Sequence, residues 1–250
     1  MKNSDVICTS IVVPNAQNRV LHFSAPGAHF LMKRSLLFAG ILALAVDLNA
    51  AVLTGKVHFI TRRGQQPVVN ETLVWLEPLG RAPKRPVQAF TMTTRSKTFL
   101  PHVVAIPAGS TINFPNEDPI AHNLFSLTPG NTFDLGLYRK GSGKAHKFET
   151  PGVVNVYCNV HPNMSAVVHV MTTPYYGFTD AQGNYSFDVP AGKYRVTAWN
   201  EQGGTATQDV EIANDGKVQG ATLLTIDGRT FRTAQHKNKF GQTYREPRDY

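Results

Sequence analysis

The stretch Cys158-Asn159-Val160-His161-Pro162-Asn163-Met164 offers a thiol, an imidazole and a thioether within a few residues of one another. Soft sulfur beside imidazole suits copper, and a trigonal His₂Cys set with a weak axial Met is the arrangement that serves single-electron transfer at copper. Such a set needs a second His from elsewhere in the chain. Zinc is the alternative metal, but structural zinc sites draw on Cys and His, and a thioether argues against it. Taken alone, a buried Cys is a small hydrophobe and a Met is core filler. Here each is given a ligand reading by its neighbours.

The elements that must hold this loop are two apolar runs, Val153-Val154-Asn155-Val156-Tyr157 before it and Ala166-Val167-Val168-His169-Val170-Met171 after it. Both are β-branched and too short for helices, so they read as buried strands joined by a tight loop. Upstream, Val103-Val104-Ala105-Ile106 runs into the turn Pro107-Ala108-Gly109-Ser110, and Thr111-Ile112-Asn113-Phe114 alternates as a strand. Residues 115–119 carry two prolines and break it, and a short strand opens at Ala121-His122-Asn123-Leu124-Phe125. That puts His122 at a strand start. A Gly- and Lys-rich loop over 139–144 then leads through 146–150 to the strand feeding Cys158.

Phe99-Leu100-Pro101, the Ala108-Gly109 turn, Phe114-Pro115-Asn116, His122-Asn123, Tyr157-Cys158, His161 and Met164 together resemble the plastocyanin/azurin family of cupredoxins, over about residues 98–171. The Cys-x2-His-x2-Met spacing is similar to the short, amicyanin-like ligand loops of that family, and the chain resembles periplasmic copper proteins of the methylamine-utilisation type. The resemblance implies a Greek-key sandwich holding one mononuclear copper ion. His122, Cys158 and His161 would form the trigonal plane and Met164 would be axial. It also implies that Asn123 ties the first-ligand loop to the Cys loop by hydrogen bonds. His161 would be the solvent-near electron port, with Pro162 and nearby apolar residues as the docking surface.

Flanking this segment is a second pattern. Thr179-Asp180, Gly183, Tyr185, Phe187, Pro190, Gly192 and Tyr194 resemble the signature of the carboxypeptidase-regulatory or transthyretin-like β-sandwich. The opening strand of that family has a looser counterpart far upstream, in Gly55-Lys56-Val57, Gln66-Pro67 and Leu73-Val74-Trp75-Leu76. By itself, the region from Ala51 to Leu79 reads as a hairpin or two neighbouring strands. The expected organisation is all-β, with residues 51–85 and 172–226 building one small sandwich around a copper domain at 86–171. Strand pairing between Val57 and the Tyr194–Ala198 region is expected on this view.

Whole-chain properties agree with that class. A chain of 250 residues, 42% hydrophobic and 10% aromatic, with 20 Gly and 16 Pro and no long amphipathic helical pattern, reads as globular, turn-rich and all-β. Met32-Lys33-Arg34, an apolar run over 35–46 and small residues at Asn49-Ala50-Ala51 have the layout of a secretory signal, so residues 1–50 are expected to be removed, with Met32 as the true start; an uncleaved anchor is the alternative. Cleavage removes Cys8 and leaves Cys158 as the one Cys in an oxidising compartment, where a metal would protect it. Residues 51–250 hold 21 Lys/Arg and 15 Asp/Glu, without the aromatic-interleaved basic motif of a nucleic-acid binder. The excess fits solubility or docking to an acidic redox partner or a membrane surface.

His102 reads as a partly exposed strand residue, His169 as facing outward from its strand, and His146 and His236 as solvated. Residues 227–250 read as a basic polar tail, mobile or wrapping an edge. Neither a nucleophile–base set nor a paired-carboxylate motif nor a phosphate-cradling loop stands out, so the chain is not expected to be an enzyme. The expectation is a periplasmic or secreted electron carrier with no membrane span after cleavage. A copper-binding accessory protein that delivers metal or scaffolds a complex is the alternative, and a module that binds no metal is the third.

Overall fold

The computed structural model describes residues 50–62, 69–81, 83, 86–220, 222–232 and 236–244. The proposed signal over 1–50, with Cys8 and Met32, lies outside the described residues apart from Ala50, as do Gly64 and Gln66-Pro67. The fold is all-β. Two strands open it, β1 (Ala50–Ile60) and β2 (Leu73–Pro78). The middle of the chain forms β3 (Ala89–Thr91), β4 (Thr93–Arg95), β5 (Thr98–Leu100), β6 (Val103–Pro107), β7 (Ser110–Asn116), β8 (His122–Ser126), β9 (Phe133–Tyr138), β10 (Gly141–Phe148), β11 (Gly152–Tyr157) and β12 (Ser165–Met171). The last third adds β13 (Tyr176–Phe178), β14 (Asn184–Pro190), β15 (Gly192–Asn200), β16 (Gly204–Ile212), β17 (Val218–Gln219) and β18 (Leu223–Asp227).

One sandwich is made by the opening and closing strands. Its sheets are β14-β1-β18 and β13-β2-β15-β16-β17. Alternation along β1 turns Ala51, Leu53 and Val57 inward, where they meet Val74 and Leu76 of β2, Tyr194, Val196 and Ala198 of β15, and Leu224 and Ile226 of β18. β1 and β2 are therefore neither a hairpin nor neighbours, because each offers its apolar face to the core from opposite sheets. Likewise Val57 pairs in parallel with Leu224, while Tyr194–Ala198 pairs antiparallel with Val74–Pro78. Val57 and Tyr194 share a core across the sandwich instead of a ladder within one sheet. At Gly55 a Cβ would strike the Tyr185 ring and the Thr222 carbonyl, so only glycine lets β18 close against β1 here.

The middle strands form a second sandwich. β10-β7-β4-β5, with β3 beside β7, face the mixed sheet β6-β12-β11-β8-β9. Its core is Phe99, Ile106, Ile112, Phe114, Leu124, Phe148, Val154, Val156 and Val168, and it ends against Cys158 and Met164. Of the Gly- and Lys-rich stretch 139–144 read as a loop, residues 141–144 open β10, with a register shift between Gly141 and Lys144. Gly143 has φ +79° and a Cβ there would run into the backbone of Phe114 and Pro115, so glycine makes the bulge possible. His146, in β10, is half-buried and not solvated: its ring stacks on Phe133 at 4.0 Å and meets Phe148 edge-on at 4.9 Å.

The chain leaves the first sandwich after β2 and returns beside it. Leu76 N–H donates to Tyr175 O at 2.8 Å, Thr173 Oγ1 donates to Leu76 O at 2.6 Å, and β13 pairs with β2. Where the two sandwiches meet, Leu73, Ala105 and Met171 pack with Trp75, Tyr176 and Trp199. His169 belongs to this junction. It does face away from its own sandwich's core, but that face is covered, leaving it 3% exposed with its ring 4.3 Å from Trp199 and 6.0 Å from Trp75. His102 precedes β6 and makes a second tie: Nδ1 lies 3.0 Å from Ser165 O and Nε2 2.6 Å from Glu201 Oε2. The Glu201 hydrogen bond holds its pKa above the ordinary histidine value against the opposing effect of burial.

Candidate metal centre

Pairing of Tyr157 with Ser165 closes β11 on β12 and leaves residues 158–164 as the connection. Within it, Cys158 N–H donates to Met164 O and Met164 N–H to His161 O, both at 3.1 Å, so the loop curls and its side chains converge. Val160 N–H donates to the Cys158 sulfur at 3.4 Å and so fixes where the sulfur points. β8 lies beside β11 through the pair Tyr157–Phe125, and this brings His122, its first residue, over Cys158.

His122 Nδ1 and His161 Nδ1 each lie 3.8 Å from Cys158 Sγ, and the three donor atoms fall within 4.8 Å of one another. Donors about 2.0–2.3 Å from a shared ion in a trigonal plane are separated by about 3.7 Å, so this spacing fits a single metal. Cys158 is a free, buried thiol and His122 is fully buried, while His161 is half-exposed. Burial, and then the neighbouring His122, push the His161 pKa below the ordinary value and favour the neutral ring that a metal requires. Met164 is buried in the same core cluster as Cys158.

Asp118 sets the His122 tautomer. Its Oδ2 lies 2.9 Å from His122 Nε2, so Nε2–H donates to the carboxylate and Nδ1 keeps a lone pair toward Cys158. Burial alone would raise the Asp118 pKa, but hydrogen bonds from Lys97 N–H, Ser96 N–H and His122 outweigh it and hold the carboxyl below its usual range. The two backbone donors come from the two-residue turn between β4 and β5, where Ser96 and Lys97 have φ of 51° and 56°, the type I′ geometry of tight hairpins. In sequence, Asp118 reads only as part of a Pro-flanked break; its position four residues before His122 is the one signal of its role.

Asn123 does not bond directly to the Cys loop. Its Nδ2 donates to Asp134 Oδ1 on β9 at 2.6 Å. The path onward runs through the C-terminal segment: Lys239 Nζ pairs with Asp134 Oδ2 at 2.7 Å, and Lys239 N–H donates to Asn159 Oδ1 at 2.9 Å. His236 is likewise not solvated. It stacks on Tyr157 at 4.3 Å and 19°. Lys239 and Tyr244 carry no sequence signal for this role, lying about 80 residues from the loop they touch.

No protein-family profile matches the chain, and no curated protein does. Solved structures similar to it include a mutant of amicyanin in its reduced Cu(I) form at pH 4, at 17% identity, with 33% of this chain and 82% of that one aligned at a TM-score of 0.32. Amicyanin from Paracoccus versutus is 22% identical over 38% of this chain and 97% of that one, at 0.32. A novel purple cupredoxin from Nitrosopumilus maritimus is 26% identical over 33% of this chain and 99% of that one, at 0.29. TM-scores this low add no weight to the geometry. Among the described residues, no helix is long and apolar enough to cross a membrane.

Proposed function

We propose that residues 86–171 form a cupredoxin-type domain binding one copper ion through His122 Nδ1, Cys158 Sγ, His161 Nδ1 and Met164, and that it carries single electrons between periplasmic partners. The observation that supports this most is the convergence of two imidazole nitrogens and one thiol within 4.8 Å, with one imidazole locked in a ligating tautomer by Asp118. Copper would supply the one-electron chemistry. The chain's part is to hold the donors in one arrangement that serves both oxidation states, so that little reorganises on transfer. Burial of Cys158 and His122 keeps water out, and the half-exposed His161 leaves one edge of the site open toward a partner. Residues 51–85 and 172–226 form the second sandwich in this reading, with the copper domain inserted where β2 and β13 lie side by side. The tightly packed junction at Trp75, His169 and Trp199 favours a second reading, an accessory protein that delivers copper or scaffolds a complex.

Voltammetry of the copper-loaded protein separates the two. The electron-carrier reading predicts a reversible one-electron wave with copper content unchanged over repeated cycles and slow loss to a Cu(I) chelator. Rapid handover of copper on reduction contradicts it and supports delivery.

A further inference from the structure

We infer that residues 236–244 are a strap that positions the Cys158 loop, with Tyr244 and Lys239 as its positioning residues; the inference rests on the copper reading above. The strap reaches both ligand-bearing segments. Tyr244 Oη–H donates to the Cys158 carbonyl at 2.7 Å. Lys239 N–H holds Asn159 Oδ1, and Lys239 Nζ holds the Asp134 carboxylate that in turn receives Asn123 Nδ2, next to His122. The tail thus adds a hydrogen-bonded link between the first-ligand strand and the Cys loop.

The segment is built to hold this position. His236 lies flat on Tyr157, the residue before Cys158, and approaches Phe125 at 6.2 Å. Between the anchors the chain makes a closed turn: Asn238 Oδ1 accepts from Phe240 N–H and Gln242 N–H, Asn238 N–H donates to Gln242 O, and Gly241 supplies φ +75°. A tail that merely covered the Tyr157 and Phe125 rings would need only apolar contact. Here, among the described residues, the strap's polar contacts with the rest of the fold end on Cys158, Asn159 and Asp134.

Partners one step out from a metal ligand are worth about 10–100-fold in metal affinity. Replacing Tyr244→Phe removes one hydroxyl and keeps the ring, and is expected to weaken copper binding about tenfold and shift the visible absorption band. In the metal-free full-length protein, amide exchange across residues 158–163 is expected to quicken about three- to tenfold, the equivalent of one lost hydrogen bond. Tyr194→Phe is the control: its hydroxyl also donates to a backbone carbonyl, Pro190 O at 2.8 Å, but in the other sandwich, and it is expected to leave the loop unchanged. A chain ending at Arg232 removes the whole strap and is expected to exceed the Tyr244→Phe effect. The strap is overturned if Tyr244→Phe matches the parent in band, affinity and loop exchange, or if Tyr194→Phe changes the loop equally. A parent that takes up no copper overturns the metal centre instead; the exchange comparison needs no metal and still decides whether the tail holds the loop.

Discussion

Cys158→Ser is expected to leave the chain folded, to abolish thiolate-to-copper absorption and to weaken copper binding by more than about a hundredfold, beyond what loss of an outer partner costs. The change is small in shape but exchanges a soft donor for a hard one, and in the proposed site the soft donor is what would select copper. Cys158 sits at the end of the middle sandwich's core, where the hydroxyl must be satisfied or costs about 1–3 kcal/mol. Val160 N–H, which already points at the sulfur, can donate to it, so the stability loss stays near the low end. Absorption spectra and competition titrations on parent and variant check this. A variant that keeps the parent's colour and affinity means that the thiolate is not the ligand.

The second large effect is acid destabilisation through His169. Its ring is held between Trp75 and Trp199, and Nε2 is buried without a hydrogen-bond partner among the described residues. Burial lowers its pKa to about 4 from an ordinary 6.5. The folded state therefore disfavours the proton that the unfolded chain accepts, and stability is intact above pH 6.5. As pH falls from 6.5 toward 4, the unfolded chain takes up the proton first and the folded state loses about 3 kcal/mol by pH 4. Carboxylates add their own acid dependence, so the comparison is with His169→Leu, which removes only this contribution. Denaturant midpoints at pH 7, 5 and 4 are expected to converge or cross between parent and variant as the pH drops. Parallel pH dependences contradict the assignment of a neutral histidine at the junction.

How far the sequence could be read follows from which contacts are local. Strand alternation around 153–157 and 166–171, with the punctuation at Pro107 to Ser110 and Pro115 to Pro119, specifies the strands beside the site, because side-chain period and turn chemistry act over a few residues. The same reading puts His122 at a strand start and Cys158 and His161 in the loop between two strands; the family resemblance joins them in one site, and their donors do converge. Alternation along β12 says that His169 turns away from its own core; it cannot say that Trp75 and Trp199, from another sandwich, close over it. Val57 and Tyr194 show the same limit: both are inward-facing, but membership of a core does not reveal which sheet each strand joins. Hydrogen bonds from Lys239 and Tyr244 to the Cys loop depend on a tail that returns across about 80 residues of chain, and polar tails have no periodicity to betray where they dock. The family resemblance implies that Asn123 bonds to the Cys loop itself; its Nδ2 goes to Asp134 instead, and no local pattern announces that contact.

The central claim is that His122, Cys158, His161 and Met164 hold one copper ion in a site fit for electron transfer. Titrating the purified protein with Cu(II) while recording its visible absorption and copper content tests it most directly. The account predicts intense thiolate-to-copper absorption that saturates at one equivalent and is bleached and restored by a reductant and an oxidant. Failure to take up copper, or uptake without that absorption, contradicts it.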